Sequence, residues 1–460
     1  MTLIKSISGI RGTIGGYVGK SLTPIDVVKY TAAYATFLKS KKLISNTIIV
    51  GRDARISGEL INNLVTSTLI SCGFDVIDIG LTTTPTVEIA VELNNCDGGI
   101  IITASHNPIQ WNALKLLNNN GEFISENDGN EILNIAEKDN ICFEEIHNIG
   151  KISYDNSFND IHIDKILNLD LVEVELIKSM NYTIVLDGVN STGGIIIPKL
   201  LNKLGVNVIK LYCEPTGIFP HNPEPLEENL TDISRLVVNK KADFGIVVDP
   251  DVDRLAFVCE DGIMFGEEYT LVAVADYILS KKTGNTVSNL SSSRALKDIT
   301  EKYGSKYYAS AVGEVNVVEM MKNKNAIIGG EGNGGIIYPD LHYGRDALVG
   351  LALFLSYISE KKQSLRTIKR NLPQYFIYKN KIDLDINIDL NMIFEKIKQK
   401  YNNENITSID GLKIDFSDGW VHLRKSNTEP IIRIYSESNT IEKAKLFSNN
   451  MLNEIKKMII

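Results

Sequence analysis

Three short stretches of this sequence combine residue types that could do chemistry. The first is Thr103-Ala104-Ser105-His106-Asn107-Pro108, which follows the apolar run Gly99-Ile100-Ile101-Ile102. A serine hydroxyl and a histidine are thereby delivered to the carboxyl end of a buried strand, where α/β proteins place reacting atoms. Pro108 disfavours helix in the residue before it and removes a backbone donor, so the loop is held open. Taken alone, the hexapeptide is equally a surface turn after a core strand.

The second stretch is Asp249-Pro250-Asp251-Val252-Asp253-Arg254. Alternate residues of an extended segment face the same way, so three carboxylates can converge on one cation. An EF-hand is the rival, and Glu260 even falls at its twelfth position. Pro250 at the second position, Arg254 in place of the sixth-position glycine, and strand-like flanks exclude it. Three aspartates beside a buried strand repel one another without a cation. Mg²⁺ suits them, because three monodentate carboxylates leave room for water and a phosphoryl oxygen. A solvated acidic turn is the alternative.

The third stretch, Arg424-Lys425-Ser426-Asn427-Thr428-Glu429-Pro430, lies between two strand patterns and is followed by Arg433. Arginine offers a two-pronged fork to phosphate, while hydroxyls and loop amides fill its remaining acceptors. A charged hairpin is the plainer reading. Weaker signals surround these. Arg11 is bracketed by Gly9 and Gly12, and Gly51-Arg52-Asp53-Ala54-Arg55 reads as an ion-paired loop. Gly330-Glu331-Gly332-Asn333-Gly334-Gly335 is too glycine-rich for regular structure and has no Gly-Lys-Ser/Thr continuation, so it is not a Walker loop. Its Glu331 and Asn333 have the chemistry to bind sugar hydroxyls.

The elements that must position these loops alternate along the first part of the chain. Thr23-Pro24 caps a periodic run through Ile25, Val28, Ala32, Ala35 and Leu38. Strands at Thr47–Val50 and Val76–Ile79 flank a helix through Leu64 and Leu69, the pattern of a parallel sheet with crossover helices. A weak repeat aligns Asp97–Ser105 with Asp243–Asp251 and, more loosely, with Asn325–Asn333; each is an apolar strand ending in a polar loop. Polar stretches near 139–159 and 359–374 read as boundaries. Beyond them, helical Leu390–Tyr401, short strands at Gly411–Phe416, Trp420–Arg424 and Ile431–Ser436, and a helix from Thr440 form an α+β domain.

At 460 residues, 43% hydrophobic and 23% charged, the chain is that of a globular protein of several domains. The longest apolar stretch, Leu348–Leu355, is far short of the roughly 20 residues a spanning helix needs, and no export signal leads the sequence. Five scattered cysteines lack metal-ligand spacing and read as reduced thiols, hence a cytoplasmic protein without membrane association. A net charge of −9 argues against nucleic acid as a partner, though local arginines can still hold a phosphate.

Together and in this order, the loops resemble those of the α-D-phosphohexomutases, and the likeness covers essentially the whole chain. The resemblance implies three related α/β domains with mixed sheets plus a C-terminal α+β domain around one central cleft. The expected boundaries are 1–152 (phosphoserine loop), 153–256 (metal loop), 257–368 (sugar loop) and 369–460 (phosphate loop). It implies that Ser105 is phosphorylated and carries the phosphoryl group, with one Mg²⁺ held against it by Asp249, Asp251 and Asp253. His106, Lys115 and Arg254 stand as catalytic candidates, and His106 and Lys115 are both proton-shuttle candidates. Arg11, Glu331, Asn333, Arg424, Ser426, Asn427, Thr428 and Arg433 are expected to bind substrate.

The implied reaction moves a phosphoryl group between O6 and O1 of a hexose phosphate through a hexose 1,6-bisphosphate. Glucosamine 6-phosphate to glucosamine 1-phosphate, the supply of a UDP-N-acetylglucosamine precursor, is the leading expectation. Phosphomannomutase/phosphoglucomutase activity is the alternative; a non-catalytic sugar-phosphate sensor and a phosphatase rank lower. Partners are small sugar phosphates, and the chain is expected to be a monomer or homodimer. Two departures stand out. The sugar loop often ends Ser-Gly-His in relatives but reads Asn333-Gly334-Gly335 here, although His342 lies close in sequence. Trp111-Asn112-Ala113-Leu114 replaces the commoner aromatic-Asn-Gly before the lysine.

Overall fold

The computed structural model describes residues 2–6, 9–138, 140–383, 390–425 and 431–459. They form two compact units: Met1–Tyr277 with Asn333–Lys369, and Ile278–Gly332 with Arg370–Ile460.

The first unit contains two mixed sheets. In the larger, the strand order is Leu3–Ser6, Gly9–Thr13, Trp111–Leu117, Gly98–Ile102, Thr47–Arg52, Asp75–Leu81 and Ile152–Tyr154. The last four run parallel, as the alternating pattern predicts. The first three add antiparallel pairings that the alternation does not reveal. Helix Pro24–Ser40 begins with a capping box, Thr23 and Asp26 satisfying each other's backbone amides behind the first-turn proline. Its Tyr34 hydroxyl donates to the Leu117 carbonyl at 2.6 Å. A Cβ at position 98 would lie 2.1 Å from that hydroxyl, which is why glycine opens the strand Gly98–Ile102.

The second sheet orders Leu255–Val258, Phe244–Val248, Thr183–Asp187 and Asn207–Leu211, with only the first pairing antiparallel. Helix Ala347–Lys361 is buried along nearly its whole length. Its Phe354 stacks on Phe257 at 3.8 Å between ring centroids, seating the helix on strand Leu255–Val258.

In the second unit, strands Tyr307–Ser310, Asn285–Asn289 and Ala326–Glu331 run parallel. An antiparallel sheet of Phe376–Asp383, Ile431–Ser438, Gly419–Lys425, Leu412–Phe416 and Asn405–Thr407 accompanies them. Ile393, Ile397, Leu412, Ile414, Val421, Leu423, Ile432, Ile434, Met451 and Ile455 make its core.

The three repeat copies are strands Gly98–Ile102, Phe244–Val248 and Ala326–Glu331, each flanked by at least one parallel neighbour and ending at a polar loop. The third corrects one expectation. Despite its glycines, the segment is ordered strand through Glu331, turns, and resumes as Gly335–Ile337.

Candidate active site

Ser105 sits where the strand Gly98–Ile102 has just ended, and its backbone is left-handed, with φ 48°. For a residue with a Cβ that conformation is uncommon and must be held by its surroundings. Arg55 does the holding. Its guanidinium donates to the carbonyls of Ser105 at 2.5 Å, Asn107 at 2.6 Å, and Pro108 and Trp111 at 2.9 Å each. Arg55 is itself fixed by Asp53, Nε to Oδ2 at 3.1 Å, and both side chains are buried. Thr103 donates to the same carboxylate at 2.6 Å. The expected ion pair of the Gly51–Arg55 loop therefore exists, and its target is the serine loop. From outside, Arg11 donates to Asn107 Oδ1 at 2.7 Å.

The Ser105 hydroxyl donates to Asp249 Oδ2 at 2.7 Å, although 144 residues separate them. Asp249, Asp251 and Asp253 are fully buried and offer carboxylate oxygens within 4.8 Å of one another. They converge by a tight turn, with Val252 left-handed at φ 61°, rather than by the extended alternation the spacing suggests. Asp249 Oδ1 closes this turn, accepting from the amides of Asp253 and Arg254 at 3.1 Å each. Ser191 and Thr192 donate to the Pro250 carbonyl at 2.7 and 2.8 Å.

Lys115 lies against the triad, 2.6 Å from Asp251 Oδ2 and 3.3 Å from Asp253 Oδ2. Burial opposes its charge, but the two aspartates outweigh it and its pKa is pushed up to about 12. Burial likewise opposes the Asp251 charge, yet Lys115 and the Thr84 hydroxyl at 2.6 Å hold that carboxyl far below its usual range. Asp249 goes the other way: burial first, then the neighbouring carboxylates, push it well up. One acid so resisting ionisation marks a site short of positive charge.

A cation fits that shortage. Asp251 Oδ1 and Asp253 Oδ1 are both buried without a hydrogen-bond partner. Hard carboxylate oxygens converging within a few ångströms are the donor set of a small divalent ion.

His106 Nδ1 stands 3.4 Å from the Ser105 hydroxyl. Burial, with Arg254, Arg11 and Arg345 nearby, holds its imidazole well below the usual pKa and so neutral. Arg254 pairs with Glu224 at 3.2 Å, and its Nε is a buried donor without a hydrogen-bond partner. Glu224 also lies 3.9 Å from His106 Nε2. His342 is not offered to a ligand; it is buried between Glu88 and Asp346, 3.3 Å from each.

In the second unit, Glu331 accepts from Asn289 Nδ2 at 2.8 Å and the Gly313 amide at 3.0 Å, which fixes its carboxylate at the end of its strand. Asn333, by contrast, belongs to the first unit and caps its own turn by accepting from the Gly335 amide at 3.2 Å. Arg424 and Arg433 are cross-strand partners, and Lys381 pairs with Arg433 on its other side. Cross-strand partners share a sheet face, so three cations stand in a row whose mutual repulsion an anion would relieve. Asp410 pairs with Arg424 at 2.9 Å. Ser426, Asn427 and Thr428 lie outside the described residues.

Sequence reasoning missed Glu224, Thr84, Arg345 and Lys381. His221-Asn222-Pro223-Glu224-Pro225 shares the His-Asn-Pro composition of the serine loop and was the available signal for Glu224. Arg345-Asp346 stands directly before the apolar run Ala347–Leu355, which was the signal for Arg345. Nothing in the sequence singles out Thr84 or Lys381.

A serine loop hydrogen-bonded to a buried acid cage, on a repeated α/β scaffold, is the arrangement expected of the phosphohexomutase class. Family models agree. The phosphoglucomutase/phosphomannomutase α/β/α domains I, II and III match residues 3–141, 160–262 and 266–376, and the C-terminal domain matches 386–453. A phosphoglucomutase/phosphomannomutase of Thermococcus kodakarensis is 35% identical over 440 residues, covering 94% of this chain and 95% of the relative. A phosphoglucosamine/phosphogalactosamine mutase of Sulfurisphaera tokodaii is 32% identical over 464 residues, with coverages of 97% and 98%. In fold, the chain is similar to a phosphoglucomutase/phosphomannomutase family protein of Burkholderia thailandensis, at a TM-score of 0.85, 22% identity, and 99% and 97% coverage. The chain belongs to the phosphoglucomutase/phosphomannomutase family, and it is an isomerase of the phosphohexomutase kind.

Proposed function

We propose that this mutase interconverts glucosamine 6-phosphate and glucosamine 1-phosphate, with Ser105 as the phosphoryl carrier. The observation that carries the reading is the Ser105 hydroxyl, 2.7 Å from Asp249 at the lip of the buried acid cage. Asp249, Asp251 and Asp253 would hold Mg²⁺, which when bound supplies charge neutralisation to the transferring phosphoryl oxygens.

Phosphoryl transfer asks for positioning and charge compensation more than covalent help. Arg55 fixes the serine loop, and Arg254, whose buried Nε faces Asp253 Oδ1 at 4.0 Å without a hydrogen bond, has a donor within reach of a phosphoryl oxygen. In the forward step the Ser105 Oγ–P bond breaks, a P–O bond forms to the free sugar hydroxyl, and that hydroxyl loses its proton. His106, held neutral, suits the proton acceptor; Lys115, held charged, suits an electrostatic partner. The resulting hexose 1,6-bisphosphate then reorients and returns its other phosphoryl group to Ser105, so phosphate is conserved. Arg424, Arg433 and Lys381 are the candidates for gripping the phosphate that does not react.

Glu331 favours the amino sugar, since a fixed carboxylate attracts a 2-ammonium group that glucose and mannose phosphates lack. A carboxylate also accepts from two neighbouring hydroxyls, which supports phosphomannomutase/phosphoglucomutase activity as the second reading. Coupled assays of each purified 1-phosphate and 6-phosphate pair decide. Glucosamine phosphates turning over fastest is the expected result, and slower turnover than glucose or mannose phosphates reverses the order. Intact mass should show one phosphate on active protein, lost together with activity in Ser105→Ala. A fully active Ser105→Ala enzyme rejects the carrier assignment.

A further inference from the structure

Arg345 reaches the acid cage from the residue just before the cap of helix Ala347–Lys361. Its Nη2 donates to Asp253 Oδ2 at 2.7 Å, across 92 residues, and the pair is almost wholly buried. The same Oδ2 receives Lys115 at 3.3 Å, so the two cations pin one oxygen of Asp253, while Oδ1 has no hydrogen-bond partner and faces Arg254 Nε at 4.0 Å.

The backbone carrying Arg345 is stitched to the acid loop. The Ala347 amide donates to the Val252 carbonyl at 3.2 Å, and the Leu255 amide donates to the Gly334 carbonyl at 3.1 Å. Asp346 is locked as well. It caps helix Ala347–Lys361 through the amides of Leu348 and Val349, and His162 Nε2 and His342 Nε2 flank its other oxygen at 2.9 and 3.3 Å. Arg345 thus projects from a fixed point, and its fork has little freedom left.

Gly335 clears its path. A Cβ there would lie 2.4 Å from Arg345 Cδ and 3.1 Å from Cγ. Any side chain at position 335 competes with the arginine stem for the same volume. The glycine ending the Asn333-Gly334-Gly335 turn and the arginine ten residues later are therefore one device.

We propose that Arg345 is a positioning residue for this mutase, aiming Asp253 Oδ1 at the divalent cation by holding Oδ2. The proposal rests on the reading of the aspartate triad as a cation site. A partner that orients a metal ligand is worth on the order of 10- to 100-fold in metal affinity or activity. A purely electrostatic neighbour predicts the opposite sign, because removing a positive charge tightens cation binding.

The test is Mn²⁺ binding to the full-length protein, followed by electron paramagnetic resonance, alongside steady-state kinetics. Arg345→Met should weaken Mn²⁺ binding by at least roughly tenfold. It should lower kcat without a matching change in KM for the sugar phosphate, and Arg345→Lys should recover part of both. Gly335→Ala, which keeps the arginine but blocks its stem, should shift both measures in the same direction by less. Should Arg345→Met melt well below wild type, Gly335→Ala decides. Unchanged or tighter Mn²⁺ binding in the deciding variant overturns the proposal. Asp251→Asn separates the two layers: if it binds Mn²⁺ as wild type does, the cation site itself is rejected; if it loses Mn²⁺ while Arg345→Met keeps it, only the role of Arg345 fails.

Discussion

Arg55 shows how one side chain can set the geometry of a loop, and with it the placing of the Ser105 hydroxyl, without touching that hydroxyl. It satisfies four carbonyls of the serine loop and is neutralised by a buried aspartate. Removing one partner of a buried pair leaves an uncompensated charge, at a cost of about 3–5 kcal/mol. Arg55→Met is therefore expected to lose roughly that much stability in urea unfolding. It should also lose most activity, because the left-handed turn at Ser105 has no other strut of that strength. A variant that unfolds at the wild-type midpoint would show that the loop holds itself. At this scale much of the site could be read in advance. Ser105 and the aspartates announce themselves by type and spacing, and Lys115 through the resemblance. Thr84 carries no such mark and Arg345 only a faint one, because what ties them to the acid loop is a contact made 167 and 92 residues away.

Among the elements, the antiparallel sheet of the second unit carries a buried histidine with a consequence for pH. His422 lies on strand Gly419–Lys425, accepts from or donates to Ser291 Oγ at 2.9 Å, and meets the Asp410 carbonyl at 2.7 Å. Burial lowers its pKa to about 4. The unfolded chain therefore binds a proton that the folded chain refuses between the ordinary histidine value and about pH 4. The corresponding stability is complete above that window and is lost as pH falls through it, in total about 3 kcal/mol. His422→Gln should flatten the decline in thermal melts taken from pH 7 down to pH 5, and an equal decline in both proteins would contradict it. Elements were legible where one signal dominated: the capped helix Pro24–Ser40 and the buried strands. The antiparallel edge at Leu3–Ser6 and Gly9–Thr13 was not, since short strands that pair with distant partners carry little local pattern.

For the molecule as a whole, the second unit is built from two separated chain segments that complete each other. The Arg294 amide donates to Glu437 Oε1 at 3.0 Å, Trp420 Nε1 donates to the same oxygen at 2.7 Å, and Lys413 Nζ reaches the Leu290 carbonyl at 2.9 Å. Residues 370–460 expressed alone should therefore expose a buried glutamate and lysine and fail to give a cooperative melt by circular dichroism. A sharp transition would mean that the antiparallel sheet is self-sufficient. The family was legible because several loops fell in the right order, each weak and jointly specific. This interleaving was not, as it is a property of which distant segments touch. Among the described residues no helix is long and apolar enough to cross a membrane.

The long-range contacts around the acid loop of the first unit have a consequence for how the protein is made. The serine loop leaves the ribosome well before Asp249, and Asp253 must wait a further 92 residues for its arginine. At translation speeds of about 5–20 residues per second, that second delay alone is roughly 5–20 s. Through it Asp253 lacks the arginine that holds its Oδ2 and has Lys115 as its earlier partner. With Arg345 still to come, a product terminated earlier would hold the Ser105 hydroxyl beside an acid loop that lacks its arginine.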